Sequence, residues 1–219
     1  DAVGAVVFGS DQGLVGQFND VLSAFAWTTL DPFPGKKQVW AVGERMQARL
    51  EDAGFLLAGV FPVPNSVHAI TPLVGHVLLE TEYLREKGEF SQLYIFHNRP
   101  KLRSQYEPVV QRLLPFDEKW CDGVIQLKWP TQKIPEAMNG VEPVLHGLIR
   151  QYLFISLFRT CAESLASENA SRLAAMQRAE KNIEELLEDL NRAFHRLRQS
   201  TIDEELFDVI SGSEALTKG

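Results

Sequence analysis

The stretch that gathers the most chemistry-bearing residues is Gly9-Ser10-Asp11-Gln12-Gly13-Leu14-Val15-Gly16, which follows an apolar run and precedes a helical one. A glycine-rich turn from strand to helix can aim backbone N–H groups at a phosphate. The spacing is neither G-x-G-x-x-G nor a P-loop, because no Gly-Lys-Ser/Thr follows. The expectation is a structural turn, in which Gly9, Gly13 and Gly16 supply positive φ and close strand-to-helix approach, with no bound cofactor. His68, His76, His97, His146 and His195 show no H-x-x-x-H or H-E-x-x-H spacing that would put two imidazoles on one helix face, so no metal site is expected. Cys121 and Cys161 stand far apart without a C-x-x-C and read as buried thiols in a reducing compartment. No Ser-His-Asp order with a supporting motif and no paired carboxylates in a pocket-like segment argue for catalysis.

Two charged clusters remain. Arg192, Arg196 and Arg198 gather near the end of the chain, and Glu180 to Asp189 (EKNIEELLED) is an acidic run that reads as the solvated face of a helix. The chain has 219 residues, 45% hydrophobic and 23% charged, enough for a sizeable core in one or two domains. A formal net charge of −7 leaves no excess of positive charge to meet phosphates, so no nucleic-acid partner is expected. No apolar run approaches the ~20 residues that span a bilayer, and DAVGAVVF lacks the basic start of a signal peptide, so the chain is expected to be soluble. It starts at Asp1 and enters a strand almost at once, which leads to the expectation of a fragment or a processed product.

Positioning these residues calls for two kinds of architecture. Residues 1–140 read as an α/β globular domain. Ala2 to Phe8, Gln38 to Val42 and Gln92 to Phe96 are apolar almost throughout, as strands covered on both faces are. A helix is expected from Thr71-Pro72, as N-cap and first-turn proline, to Lys87, where Gly88 ends it. The result is a Rossmann-like, mostly parallel sheet flanked by helices, joined by right-handed crossovers. Val109 to Leu114 and Val124 to Trp129 are expected as added edge strands.

Residues 141–212 read as one very long helix, with 213–219 as a tail. No proline follows Pro143, and no glycine lies between Gly147 and Gly212. At about 1.5 Å per residue most of such a helix must project from a compact domain. Its apolar stripe follows a heptad. One seam runs Leu145, Tyr152, Arg159, Ala166, Leu173, Glu180, Leu187, Phe194 and Thr201, the other Leu148, Ile155, Ala162, Asn169, Met176, Ile183, Leu190 and Leu197. The seam is strongest from Ile183 to Leu197. A coiled coil needs a second strand, which must be another copy or a helix outside this sequence.

Two motifs carry a family resemblance. Gly9 to Asn19 is similar to the S-D-x-G-L-C-G-x-x-N motif of the gamma subunits of F-type ATP synthases, with Val15 at the usual cysteine. Leu165 to Met176 (LASENASRLAAM) resembles that family's L-A-S-E-x-x-A-R-M-x-A-M. Arg198 to Leu206, with Ile210-Ser211-Gly212, resembles its R-Q-x-x-I-T-x-E-L and I-x-S-G. The divergent tail resembles the alternate bacterial or archaeal branch. The resemblance implies a non-catalytic central rotor stalk on the cytoplasmic face of the inner membrane. It couples ion flow to conformational change in the catalytic ring, and its long helix forms half of an antiparallel coiled coil with an N-terminal helix missing from this sequence. The implied partners are the alpha and beta subunits of the ring, the epsilon subunit and the membrane c-ring. Arg198, Gln199, Ile202 and Asp203 are the implied rotor–stator contacts, and Leu173, Met176, Ile183, Leu187, Leu190, Phe194 and Leu197 the implied coiled-coil seam. Asp203 stands where the family has threonine, and Lys128-Trp129-Pro130 lacks the usual acidic residue of a segment near the membrane ring. The plant redox insert is absent. Two rival readings stay open: a nucleotide-binding α/β enzyme that dimerises through its long helix, and a scaffold that dimerises through the seam.

Overall fold

The computed structural model of the chain describes residues 2–102, 105–128, 130–133, 136–138 and 140–217. In chain order these form β1 (Val3–Phe8), α1 (Phe18–Leu30), β2 (Lys37–Val42), α2 (Glu44–Asp52), β3 (Leu57–Phe61), α3 (Val67–Glu86), β4 (Gln92–Pro100), β5 (Tyr106–Leu114), α4 (Glu118–Ile125) and α5 (Val141–Thr217). They fall into two compact units, Asp1–Ala174 and Ala175–Gly219. The division expected at residue 140 falls where α5 begins, whereas the first unit continues along that helix through Ala174.

The first unit is built on a five-stranded sheet of order β3-β2-β1-β4-β5. β1 pairs in parallel with β2 and β4, β2 pairs in parallel with β3, and β5 alone runs antiparallel, against β4. Alternation along β1 explains its unbroken apolar run. Val3, Ala5 and Val7 enter a core with Leu22 and Ala26 of α1 and Met46 and Leu50 of α2. Val6 and Phe8 enter a second core with Val74 and Val77 of α3 and Leu153 and Leu157 of α5. A strand with both faces covered has no polar side.

Two expectations need correction. Val124 does not open an edge strand but lies in α4, and Trp129 is outside the described residues. Val124, Ile125 and Leu127 are exposed, so their apolar run is not burial on a sheet. The third helix starts at Val67, after Ser66, rather than after Thr71, and Pro72 lies inside it. Proline there forfeits one intrahelical bond; the fully buried Ile70 lies in the turn added ahead of it. Gly88 ends α3 as expected, at φ 74°, donating to the Arg85 carbonyl at 2.9 Å while Glu89 N–H donates to the Leu84 carbonyl at 3.1 Å. This pair of bonds is the Schellman cap. The sequence reading also passed over α2 and β3 altogether.

Within the first unit α5 has two faces. Leu153, Leu157, Ser164, Ser167 and Ser171 are buried, whereas Leu145, Leu148, Ile155 and Leu173 of the heptad are exposed. At about 100° per residue the two sets centre roughly 140–150° apart around the helix.

Candidate functional site

The loop after β1 crosses the carboxyl ends of the parallel strands, and its polar residues are spent on holding it there. Gly9 N–H donates to the Val42 carbonyl at 2.8 Å. Asn19, on the first turn of α1, accepts from Ser10 N–H at 3.0 Å and donates to Ser10 Oγ at 2.8 Å. Asp11 spreads its carboxylate over two elements, with Oδ1 accepting from Glu44 N–H at the start of α2 (3.0 Å) and Oδ2 from Val63 N–H (2.9 Å). An anion at a helix start also meets the positive end of its dipole. The glycines differ in kind. A Cβ on Gly9 would lie 2.3 Å from Met46 Cβ, and Gly16 sits at φ 60°. Gly13 meets only the Arg45 guanidinium, at 4.0 Å; the other left-handed residue of the loop is Leu14, at φ 61°.

An open parallel sheet offers ligands the crevice outside its strand ends, at the point where chain order reverses. Here that point lies between β1 and β4, and α5 fills it. Ser164 Oγ donates to the Phe8 carbonyl at 3.2 Å, Ser167 Oγ to the Asn98 carbonyl at 2.9 Å, and Ser171 Oγ to the Val15 carbonyl at 2.7 Å. Asn98 Nδ2 in turn donates to the Phe18 carbonyl at 2.9 Å. The space left among Phe8, Gly9, Val63, Cys161, Ser164 and Glu168 is about 10 Å³, at most the room of a single water.

Two ionisable pairs border this contact. His97 of β4 is buried and meets Glu163 of α5 at 2.8 Å between Nε2 and Oε2. Burial holds the imidazole below its ordinary pKa despite the carboxylate, and the Arg99 and Arg159 charges add to the lowering. Burial would raise the Glu163 carboxyl, but hydrogen bonds from His97 and Arg159 outweigh it and hold it low. A neutral ring beside an anionic carboxylate places the proton on Nε2, which donates. His97 Nδ1 then has no hydrogen-bond partner among the described residues. One turn further, buried Glu168 pairs with Arg172. Burial pushes the Glu168 carboxyl up, Arg172 opposes, and the Asp11 charge adds to the rise. Cys161, deep in the same region, has its thiol pushed up to about 12 by burial first and by the Glu168 charge second.

The sequence reading found Gly9 to Gly16 but not the residues they work with. Ser164, Ser167 and Ser171 are one helix face by spacing, yet as polar residues they are invisible to a search for apolar periodicity. Their acceptors are backbone carbonyls, which leave no mark in sequence.

In the second unit the expected seam is exposed throughout: Met176, Ile183, Leu187, Leu190, Phe194 and Leu197 range from 48% to 70%. The expected contacts Arg198, Gln199, Ile202 and Asp203 are exposed as well, centred roughly 130° from the Ile183–Leu197 seam around the helix. Ile202 shares its face with exposed Leu206, Val209 and Ile210. Beyond Leu197 the apolar stripe has therefore left the seam and turned to the side of Arg198.

Fold and site together define an α/β domain that anchors a long helix across the strand ends where related folds hold a ligand. The family model described as ATP synthase matches residues 1–216. The ATP synthase gamma chain of Dechloromonas aromatica is 29% identical over 219 residues, covering 98% of this chain and 74% of the relative. Two solved structures share the fold. The rotor of the Euglena gracilis mitochondrial ATP synthase aligns at TM-score 0.66 and 15% identity, over 92% of this chain and 75% of that one. A structure of the same enzyme in another rotational state, comprising OSCP, F1 and c-ring, aligns at 0.70 and 16%, over 98% and 73%. The chain belongs to the ATP synthase gamma-chain family.

Proposed function

We propose that this chain is the central rotor stalk of an F-type ATP synthase, itself non-catalytic. Its exposed seam takes an antiparallel partner helix. The face bearing Arg198, Gln199, Ile202 and Asp203 meets the alpha and beta subunits. Its α/β domain is the foot that contacts the epsilon subunit and the membrane c-ring on the cytoplasmic face. Coupling is then a difference in contact energy between rotor orientations, felt as different nucleotide affinities in the ring. Arginine and glutamine suit contacts that are broken and remade, because their hydrogen bonds are directional.

The observation that carries this reading is the heptad stripe left uncovered over five successive apolar positions, Ile183 to Leu197, in a member of this family. An isolated helix with such a face is only marginally stable in water and acquires its stability by packing. No helix among the described residues is long and apolar enough to cross a membrane, which fits a peripheral attachment. The rival nucleotide-binding enzyme would need the strand-end crevice that α5 fills.

The test is Leu190→Pro in the assembled complex. Proline inside a helix costs about 3 kcal/mol or more and kinks it, so hydrolysis should continue while ATP-driven ion pumping is lost. Pumping retained in step with hydrolysis would overturn the shaft. Micromolar binding of ATP or NAD to the isolated chain by calorimetry would revive the enzyme.

A further inference from the structure

A rotor must hold its foot and its shaft in fixed orientation, and apolar packing does this poorly. Hydrophobic contact is non-directional and scales with area, so a helix on a greasy surface resists separation more than it resists turning or sliding. Hydrogen bonds weaken steeply as they bend. Along α5 of the first unit the apolar contacts Leu153 and Leu157 come first, and from Ser164 the buried face turns to hydroxyls.

We propose that Ser164, Ser167 and Ser171 form a hydroxyl ladder that keys α5 against rotation on the sheet and carries torque between foot and helix. The proposal rests on the rotor reading. The three acceptors lie on three separate stretches of backbone, at the end of β1 (Phe8), on β4 (Asn98) and on the loop before α1 (Val15). A turn of the helix about its own axis must bend all three bonds at once, and a slide along the axis must break them in the same stroke. Side-chain size matters as much as the hydroxyl. Ser164, Ser167 and Ser171 are at most 7% exposed, and only a short side chain lets helix backbone approach strand carbonyls closely enough for Oγ to reach them. The Glu163–His97 bond, at 2.8 Å, ties the same stretch of α5 to β4 beside the ladder. These serines act through the helix they position, not on nucleotide or ion.

The experiment uses the assembled ATP synthase carrying this chain, in vesicles, with ATP hydrolysis and ATP-driven ion uptake measured on the same preparation. The combined Ser164→Ala, Ser167→Ala and Ser171→Ala variant should keep hydrolysis within about twofold while ions moved per ATP fall by about fivefold or more, because three directional restraints are removed together and coupling is an equilibrium between locked and slipped arrangements. Leu157→Ala, which weakens the same domain through apolar packing, should lower its melting temperature and leave the ratio at the native value. Ser156→Ala, on the same helix and outside the ladder, should change nothing. A triple variant with the native ratio overturns the ladder, as does a Leu157→Ala variant that loses the ratio equally. If the triple variant fails to assemble, Ser171→Ala alone decides, since it removes one end rung: a reduced ratio supports the ladder and a native ratio overturns it. If the native chain itself supports hydrolysis without coupled uptake, the rotor reading fails and the ladder falls with it.

Discussion

Placing one methyl group on Gly9 separates a tight structural turn from a ligand loop. An alanine Cβ there would lie 2.3 Å from Met46 Cβ, 2.7 Å from Asn19 Oδ1 and 2.8 Å from Met46 Cε. The thioether end can swing away, but Met46 Cβ is fixed to the backbone of α2. Relief to an ordinary contact requires α2 to retreat by about 1 Å, an overpacking change of the kind that costs about 1–3 kcal/mol. Asn19 must move as well. It holds Ser10 by two hydrogen bonds, at 3.0 and 2.8 Å, each contributing about 1 kcal/mol. The sum is roughly 3–5 kcal/mol, and at about 2–4 °C per kcal/mol for a domain of this size Gly9→Ala should melt roughly 6–20 °C below the native chain. Gly13→Ala is the internal control. Its nearest neighbour is the Arg45 guanidinium at 4.0 Å, so its effect should stay within about 0.5 kcal/mol. Thermal and urea unfolding followed by near-ultraviolet circular dichroism, which reports the buried Trp40–Phe90 pair, reads both. Equal melting of Gly9→Ala and native chain, or equal damage from the two variants, would refute the packing account of the loop.

The His97–Glu163 bond predicts an acid sensitivity. Because burial holds His97 below the ordinary imidazole value of about 6.5, its contribution to stability is complete above about pH 6.5 and is lost as pH falls toward the folded value. Native minus His97→Gln stability should fall with pH in that window, at no more than about 1.4 kcal/mol per unit; a flat difference would refute it. The subtraction also cancels Glu168, whose raised pKa acts with the opposite sign, as stability present below its unfolded pKa and lost as pH rises through the folded one. With its thiol pushed up to about 12 by burial, Cys161 should react with a disulfide reagent at neutral pH only as fast as the domain opens. Mass spectrometry of urea-titrated samples should show labelling at Cys161 tracking unfolding, and rapid labelling of Cys161 in the native chain, as distinct from the half-buried Cys121, would count against the burial.

Features with a strong one-dimensional signal were legible in the sequence. β1, β2 and β4 are covered on both faces and so carry no polar alternation, and α5 announces itself by the absence of proline after Pro143. β3 escaped because it is a five-residue edge strand with Gly59 in its middle, where a Cβ would come within 3.1 Å of Trp40 Cδ1. α2 escaped because nine residues give too short a period, with only Met46 and Leu50 buried. The Val124 stretch misled because β-branched residues favour strands, while local helix formation across Glu118–Ile125 prevailed. The heptad was legible because it is apolar. The opposite face of the same helix was not, because serines on a helix ordinarily read as solvated.

That difference leads to a last prediction, at Ser167. Apolar patterning would favour leucine at this position, which is 1% exposed and faces the core side of α5. If α5 were held mainly by area, leucine would add buried surface and stabilise the domain by roughly 1–2 kcal/mol. The structure argues the reverse. Ser167 Oγ lies 2.9 Å from the Asn98 carbonyl, so a branched side chain has no room without lifting the helix, at about 1–3 kcal/mol. The Asn98 carbonyl would also lose its donor, costing about 1–3 kcal/mol more if no water replaces it. The neighbouring rungs, Ser164 and Ser171, would lengthen with the lift, so the three bonds should fail together. Ser167→Leu is therefore expected to lower the urea midpoint more than Ser167→Ala does. A leucine variant as stable as the native chain would show that buried area outweighs the Ser167 hydrogen bond at this position, and that the middle rung does not hold α5 on the sheet.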